Sequence, residues 1–206
     1  MLFRSQFHMN TEFYADYGTY DVTLDLPAQY YQRSEEGRGT LKVAASGVQV
    51  GGVVEDPETE RIRVRFLAPG PEDRDRLDPL AKAARLPRPQ VHGFAWSADP
   101  DYVVRTYEFD AGAWRTRHPQ YEVDILDAVN ANPDWQTAED FALQPVTVRV
   151  FVQPEHAEQA DRHAEATMAA LFLYGLWWGD YPYAEVSVID PAWGASAAGG
   201  MEYPTL

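Results

Sequence analysis

Gly199-Gly200-Met201-Glu202-Tyr203-Pro204-Thr205-Leu206 is the stretch from which the rest of the chain is read. It follows a short apolar run at residues 185–189 and a loop of mostly small residues at 190–198. Two adjacent glycines carry no Cβ, so their backbone can lie flat against a ligand. Glu202 then places a carboxylate on the same extended segment. A ligand lying along it could pair its backbone with the exposed N–H and C=O groups and its ammonium with the carboxylate. That chemistry holds a peptide by its free N-terminus. It makes Gly199, Gly200, Met201 and Glu202 the candidate substrate-binding residues.

Gly199-Gly200-Met201-Glu202 resembles the exopeptidase motif Gly-x-Met-Glu-Asn of the aminopeptidase N and leukotriene hydrolase family of zinc metallopeptidases. Tyr203 stands where asparagine is usual. Two further segments resemble the family in the same order. Tyr181-Pro182-Tyr183, leading to a strand that ends at Asp190-Pro191, is like its usual lead-in, and Val91-His92-Gly93-Phe94-Ala95-Trp96 is similar to its Val-His-Asp-Phe-Ala-Trp box, with Gly93 replacing the aspartate. The resemblance implies that Glu202 grips the substrate's α-amino group. It implies a β-rich, saddle-like antiparallel N-terminal domain over residues 1–150. The first helix and strands of an α+β, thermolysin-like catalytic domain would occupy 151–206. The family's zinc helix carries HExxH, two His one turn apart with a Glu between them as general base. No HExxH occurs in this chain. The expectation is therefore a fragment of a zinc aminopeptidase, inactive alone, whose zinc ligands lie beyond residue 206. Its partners would be a peptide with a free N-terminus and the missing part of the catalytic domain.

Composition narrows the alternatives. A chain of 206 residues, 45% hydrophobic and 24% charged, can bury one sizeable core or one core and part of another. A net charge of −15 argues against nucleic acid or an anionic membrane surface as partner, because both need clustered positive charge. Without cysteine there is no disulfide framework, thiol nucleophile or thiolate metal site. No apolar stretch is long enough to span a bilayer. The expectation is a soluble protein of undetermined compartment. Met1-Leu2-Phe3-Arg4-Ser5 reads as a non-native start, because a common sequencing-adapter end encodes Leu-Phe-Arg-Ser in one frame.

Periodicity supplies the elements. Residues 19–26 alternate, with Tyr20, Val22, Leu24 and Leu26 on one face, which is a half-buried strand stopped by Pro27. Residues 39–54 read as two short strands about the Ser46-Gly47 turn, with a bulge or bend at Gly51-Gly52. Ile62, Val64 and Phe66 alternate with Arg61, Arg63 and Arg65, an arginine face either solvated or paired with acidic residues across the sheet. Residues 68–90 read as a loop, with one or two helical turns at 80–86. Strands are expected at 102–109, 122–129 and 146–152, with a turn-rich loop over 130–144, so that no strong helix precedes residue 150. At Pro154 the period changes: Ala157, Ala160, Ala164, Met168, Leu171, Gly175 and Trp178 form one stripe, an amphipathic helix over 155–178 of about six turns.

Other candidate chemistry is weaker. His156 and His163 sit seven residues apart, about 10.5 Å along a helix axis, too far to share one zinc at about 2 Å. His92 reads as a structural histidine bonded to backbone. Packing accounts for Trp96, Trp114, Trp135, Trp177 and Trp178 better than a nucleic-acid stacking platform does. No serine has a Gly-x-Ser-x-Gly context. Two rival functions stand beside the leading one: a family member that has lost catalysis, and a stand-alone β-rich binding module. The module predicts a self-sufficient fold, whereas the fragment predicts uncovered apolar faces on the helix and last strand.

Overall fold

Side-chain alternation decides the first sheet, and helical periodicity decides the second layer. The computed structural model describes residues 17–33, 39–85, 88–131, 143–195 and 203–206. In chain order these form β1 (Tyr17–Gly18), β2 (Tyr20–Pro27), β3 (Tyr31–Arg33), β4 (Gly39–Leu41), β5 (Val43–Ala45), β6 (Val48–Asp56) and β7 (Arg61–Ala68). Then come α1 (Pro71–Ala83), β8 (Val91–His92), β9 (Trp96–Ala98), β10 (Val103–Phe109), α2 (Ala111–Arg117), α3 (Glu122–Ala131), β11 (Val146–Val152), α4 (Ala160–Trp178) and β12 (Glu185–Ile189). The architecture is mixed α+β, with mostly antiparallel pairings. Among the described residues no barrel closes and no helix is long and apolar enough to cross a membrane.

The order β2-β7-β6 makes an antiparallel sheet. Ile62, Val64, Phe66 and Ala68 of β7 are buried while Arg61, Arg63 and Arg65 face outward, as the alternation predicts. The arginine face is paired: Arg65 makes a bidentate contact with Asp21 at 2.7 and 2.6 Å, and Arg61 bonds Asp25, both on β2. The β6–β7 register shifts between Val50 and Val54, and Gly51 has φ +74°, so the expected bulge is present.

A second sheet has the order β10-β11-β12, antiparallel between the first two and parallel between β11 and β12. A parallel neighbour needs a crossover, and α4 provides it. Val146, Val148, Val150 and Val152 on one face of β11 pack with Ala160, Ala164, Met168, Leu171, Phe172 and Leu176 of α4. The helical stripe read from sequence is thus buried from Ala160 to Gly175. Its first turn, Pro154–Gln159, is a 3-10 helix, and the last turn leaves Trp178 76% exposed.

Two expected elements are corrected. Residues 122–129 are not a strand but lie in α3. As a strand, Val123 and Ile125 would share a face. Instead Val123 is exposed, and Ile125, Ala128 and Val129, spaced three and four apart, enter the core, with Ile125 fully buried. The helix is anchored at its start by Arg115 Nε donating to Glu122 Oε2 at 2.9 Å. Residues 68–90 are not a loop throughout, because α1 occupies 71–83. Pro71 opens it, the buried Asp73 carboxylate accepts from the Gly70 amide at 2.8 Å, and Leu77 and Ala81, one turn apart, are buried. With α2 this makes three helices before residue 150, where no strong one was expected. The loop expected over 130–144, and Trp135 within it, falls mainly outside the described residues.

Candidate functional site

The four residues singled out by sequence, Gly199, Gly200, Met201 and Glu202, lie outside the described residues. The segment that continues from them, residues 203–206, is described and is firmly seated. Thr205 is 3% exposed, and its carbonyl accepts from the Ser187 amide on β12 at 2.8 Å. Its hydroxyl accepts from the Gly47 amide at 2.7 Å. β12 is the edge strand of its sheet, so the terminal segment lies along a row of otherwise open backbone groups.

The Ser46-Gly47 turn is the meeting point. Ser46 is fully buried. Its amide donates to the Ala95 carbonyl at 2.8 Å, and its hydroxyl accepts from the Ala95 amide at 3.0 Å. The turn therefore clamps residues 91–96 on one side and residue 205 on the other. Gly47 has φ +82°, and a Cβ there would stand 2.1 Å from the Leu67 carbonyl oxygen, so only glycine fits. Gly93 also has positive φ, +82°, a region tolerated by glycine and, among other residues, best by Asn and Asp.

The third segment is held by α1. Asp73, 0% exposed, accepts from the Ala184 amide through its second oxygen at 2.7 Å. Arg76 donates to the Tyr183 carbonyl at 2.8 Å and to the Pro145 carbonyl at 2.7 Å. Tyr183 packs on the small core of Ala68, Leu77 and Val91. Sequence reading missed Asp73 and Arg76 because it read their segment as loop. The signal was present in Gly70-Pro71 followed by two acidic residues, a helix start.

A groove of about 320 Å³ opens between these parts, lined by Ala95, Trp96, Ser97, Ile189, Pro191, Tyr203 and Leu206. Trp96 is 49% exposed at its rim. The Ser97 hydroxyl lies 3.1 Å from that of Tyr102, whose ionisation is pushed up mainly by burial. At the far end of β12, Asp190 accepts from the Gln153 amide at 3.1 Å and contacts His156 Nδ1 at 2.7 Å. His156 therefore fixes the loop that leaves β12. His92 packs against Tyr17 across the β1–β8 pair, ring centroids 5.2 Å apart and tilted at 56°. Among the described residues Trp114 is the tryptophan that core packing explains; Trp96, Trp177 and Trp178 are about half exposed or more.

Two carboxyls, one at the start of β12 and one in the loop before it, are perturbed. Glu185, 7% exposed on β12, is pushed up by burial, with the Arg149 guanidinium at 3.1 Å offsetting part of the shift. Asp180 is also raised by burial, offset in part by the Gln144 amide. Among the described residues no group of three His, Cys, Asp or Glu converges to hold a metal ion. These residues do not fit a zinc ion, so no step is derived through one. The groove can seat an apolar or extended ligand. No family model matches the chain, and no curated protein sequence matches it.

Proposed function

We propose that this chain is part of a zinc-dependent aminopeptidase-like metallopeptidase and carries the segment that holds the substrate's free N-terminus. One observation carries the reading. The segments at 91–96 and 203–206, more than a hundred residues apart in sequence, converge on the Ser46-Gly47 turn through the Ala95 and Thr205 bonds. The segment that directly follows the Gly199–Glu202 motif therefore meets the same turn as a stretch resembling a second of the family's boxes. The positive φ of Gly93 supports it further, since the residue usual there, aspartate, suits the same backbone.

In this proposal Glu202 accepts the substrate ammonium, and the Gly199 and Gly200 backbone lies along the peptide. Thr205 fixes the register of the segment against β12, which matters because a small misplacement of substrate costs rate heavily. The finer division, a saddle-like domain over 1–150 and the start of a thermolysin-like catalytic domain over 151–206, belongs to the proposal too. So do zinc as cofactor and a peptide as partner. Zinc ligands and general base would come from outside these 206 residues, which contain no HExxH.

The test is hydrolysis by the complete protein of an aminoacyl-p-nitroanilide with a free amine and of its N-acetylated analogue. The free amine should be cleaved and the blocked one spared. Glu202→Ala should lower kcat/KM by about 10- to 100-fold, the weight of one charge-assisted contact. No peptidase activity, or equal cleavage of both substrates, overturns the reading.

A further inference from the structure

A second cavity, of about 430 Å³, lies at the C-terminal end of α4, away from the Ser46-Gly47 turn. Its walls include Leu171, Tyr174, Trp178, Asp180, Tyr181 and Val186. Its aromatic rim is open, with Tyr174 54% and Trp178 76% exposed. The two rings stand 5.0 Å apart and are inclined at 51°, so they form a corner rather than a stack. Core packing leaves that corner unexplained, since the buried stripe of α4 runs through Leu171, Phe172, Gly175 and Leu176.

Three features give the corner a sign. The ring faces of Trp and Tyr carry negative quadrupole potential. The C-terminal end of a 19-residue helix presents partial negative charge, and no basic residue occupies the last turn of α4 to offset it. Asp180 adds a carboxylate. Its oxygens share the Gln144 amide at 3.3 and 3.2 Å, and burial raises its ionisation, so a cation placed beside it would meet a group in want of one. The Arg76 charge offsets part of that rise, while its guanidinium donates to the Tyr183 and Pro145 carbonyls.

We propose that this cavity binds an organic cation, an alkylammonium whose apolar body rests on Leu171 and Val186 and whose charge is met by Tyr174, Trp178 and Asp180. The chain's net charge of −15 favours its approach. The inference does not rest on the peptidase reading, and its test requires no activity.

Choline is titrated into the full chain and followed by tryptophan fluorescence and by NMR, with the uncharged isostere 3,3-dimethylbutan-1-ol as comparison. Choline should bind saturably and at least about tenfold more tightly than the alcohol. Trp178→Ala should weaken it roughly 2- to 30-fold, the range of cation–π contacts. Asp180→Asn should also weaken it. Trp193→Ala, an exposed ring outside the cavity wall, should leave it unchanged, and thermal unfolding checks that each variant is folded. Absence of saturable choline binding, equal binding of the alcohol, or a folded Trp178→Ala that binds as before overturns the assignment.

Discussion

The Gly47 amide donates to the Thr205 hydroxyl across 2.7 Å, joining positions 158 residues apart. The bond is buried, and with the Ser187–Thr205 backbone bond it fixes the terminal segment to both the Ser46-Gly47 turn and β12. A buried donor left without its acceptor costs more than the bond itself contributes.

Thr205→Val keeps the shape and removes the acceptor. It should destabilise the chain by about 1–3 kcal/mol in urea unfolding, while Thr205→Ser, which keeps the hydroxyl, should lose less. Equal loss in both variants would show that the methyl group, not the hydroxyl, matters there.

Gly47 and Gly51 both have positive φ, +82° and +74°, but different surroundings. A Cβ at Gly47 meets the Leu67 carbonyl at 2.1 Å, whereas at Gly51 it meets open space. Gly51→Ala should cost about 1 kcal/mol of backbone strain and Gly47→Ala clearly more. Thermal melts of the two variants give the comparison directly.

Asp73 satisfies two buried amides, those of Gly70 and Ala184. Asp73→Ala orphans both and should lower stability by about 2–5 kcal/mol. Hydrogen exchange at Ala184 should accelerate with it, since α1 then releases the entry to β12.

Glu185 gives a pH signature. Its folded-state value lies above the ordinary 4.5 because burial penalises the charge. An acid raised on folding contributes stability that is fully present below 4.5 and lost as pH rises through the folded value. Relative to Glu185→Gln, the native chain should therefore lose stability as pH climbs from 4.5 through that higher value. The Arg149 pairing forms only with ionised Glu185 and is already contained in that folded value, so it leaves the sign of the slope unchanged. Parallel stability curves for the two proteins across that range would contradict the assignment.

The sequence was most legible where one face of an element is buried and its period is clean. Residues 20–26, 61–67 and 160–175 show their inward faces directly, and the outward arginine face follows from the alternation, although the alternation alone does not decide between its pairing with Asp21 and simple solvation. It was least legible at 122–129, where Val123 and Ile125 mimic a strand although only Ile125 is buried, and at 71–83, where Pro71 and seven acidic or basic residues mask a helix that buries little beyond Asp73, Leu77 and Ala81. The Ser46-Gly47 clamp was legible only as a turn. Its partners, Ala95 and Thr205, come from distant segments, and no local period encodes a long-range hydrogen bond. Arrangement of the aromatic corner at Tyr174 and Trp178 was likewise hidden, because Trp178 falls on the helical stripe yet lies past the end of the sheet that covers the rest.

The central claim is that the segment containing Glu202 serves a zinc peptidase. The most direct measurement is to read the coding sequence past the codon for Leu206. The account predicts an in-frame HExxH about thirty residues on, with a further glutamate ligand downstream. An uninterrupted continuation without that signature, or an immediate stop codon, would contradict it.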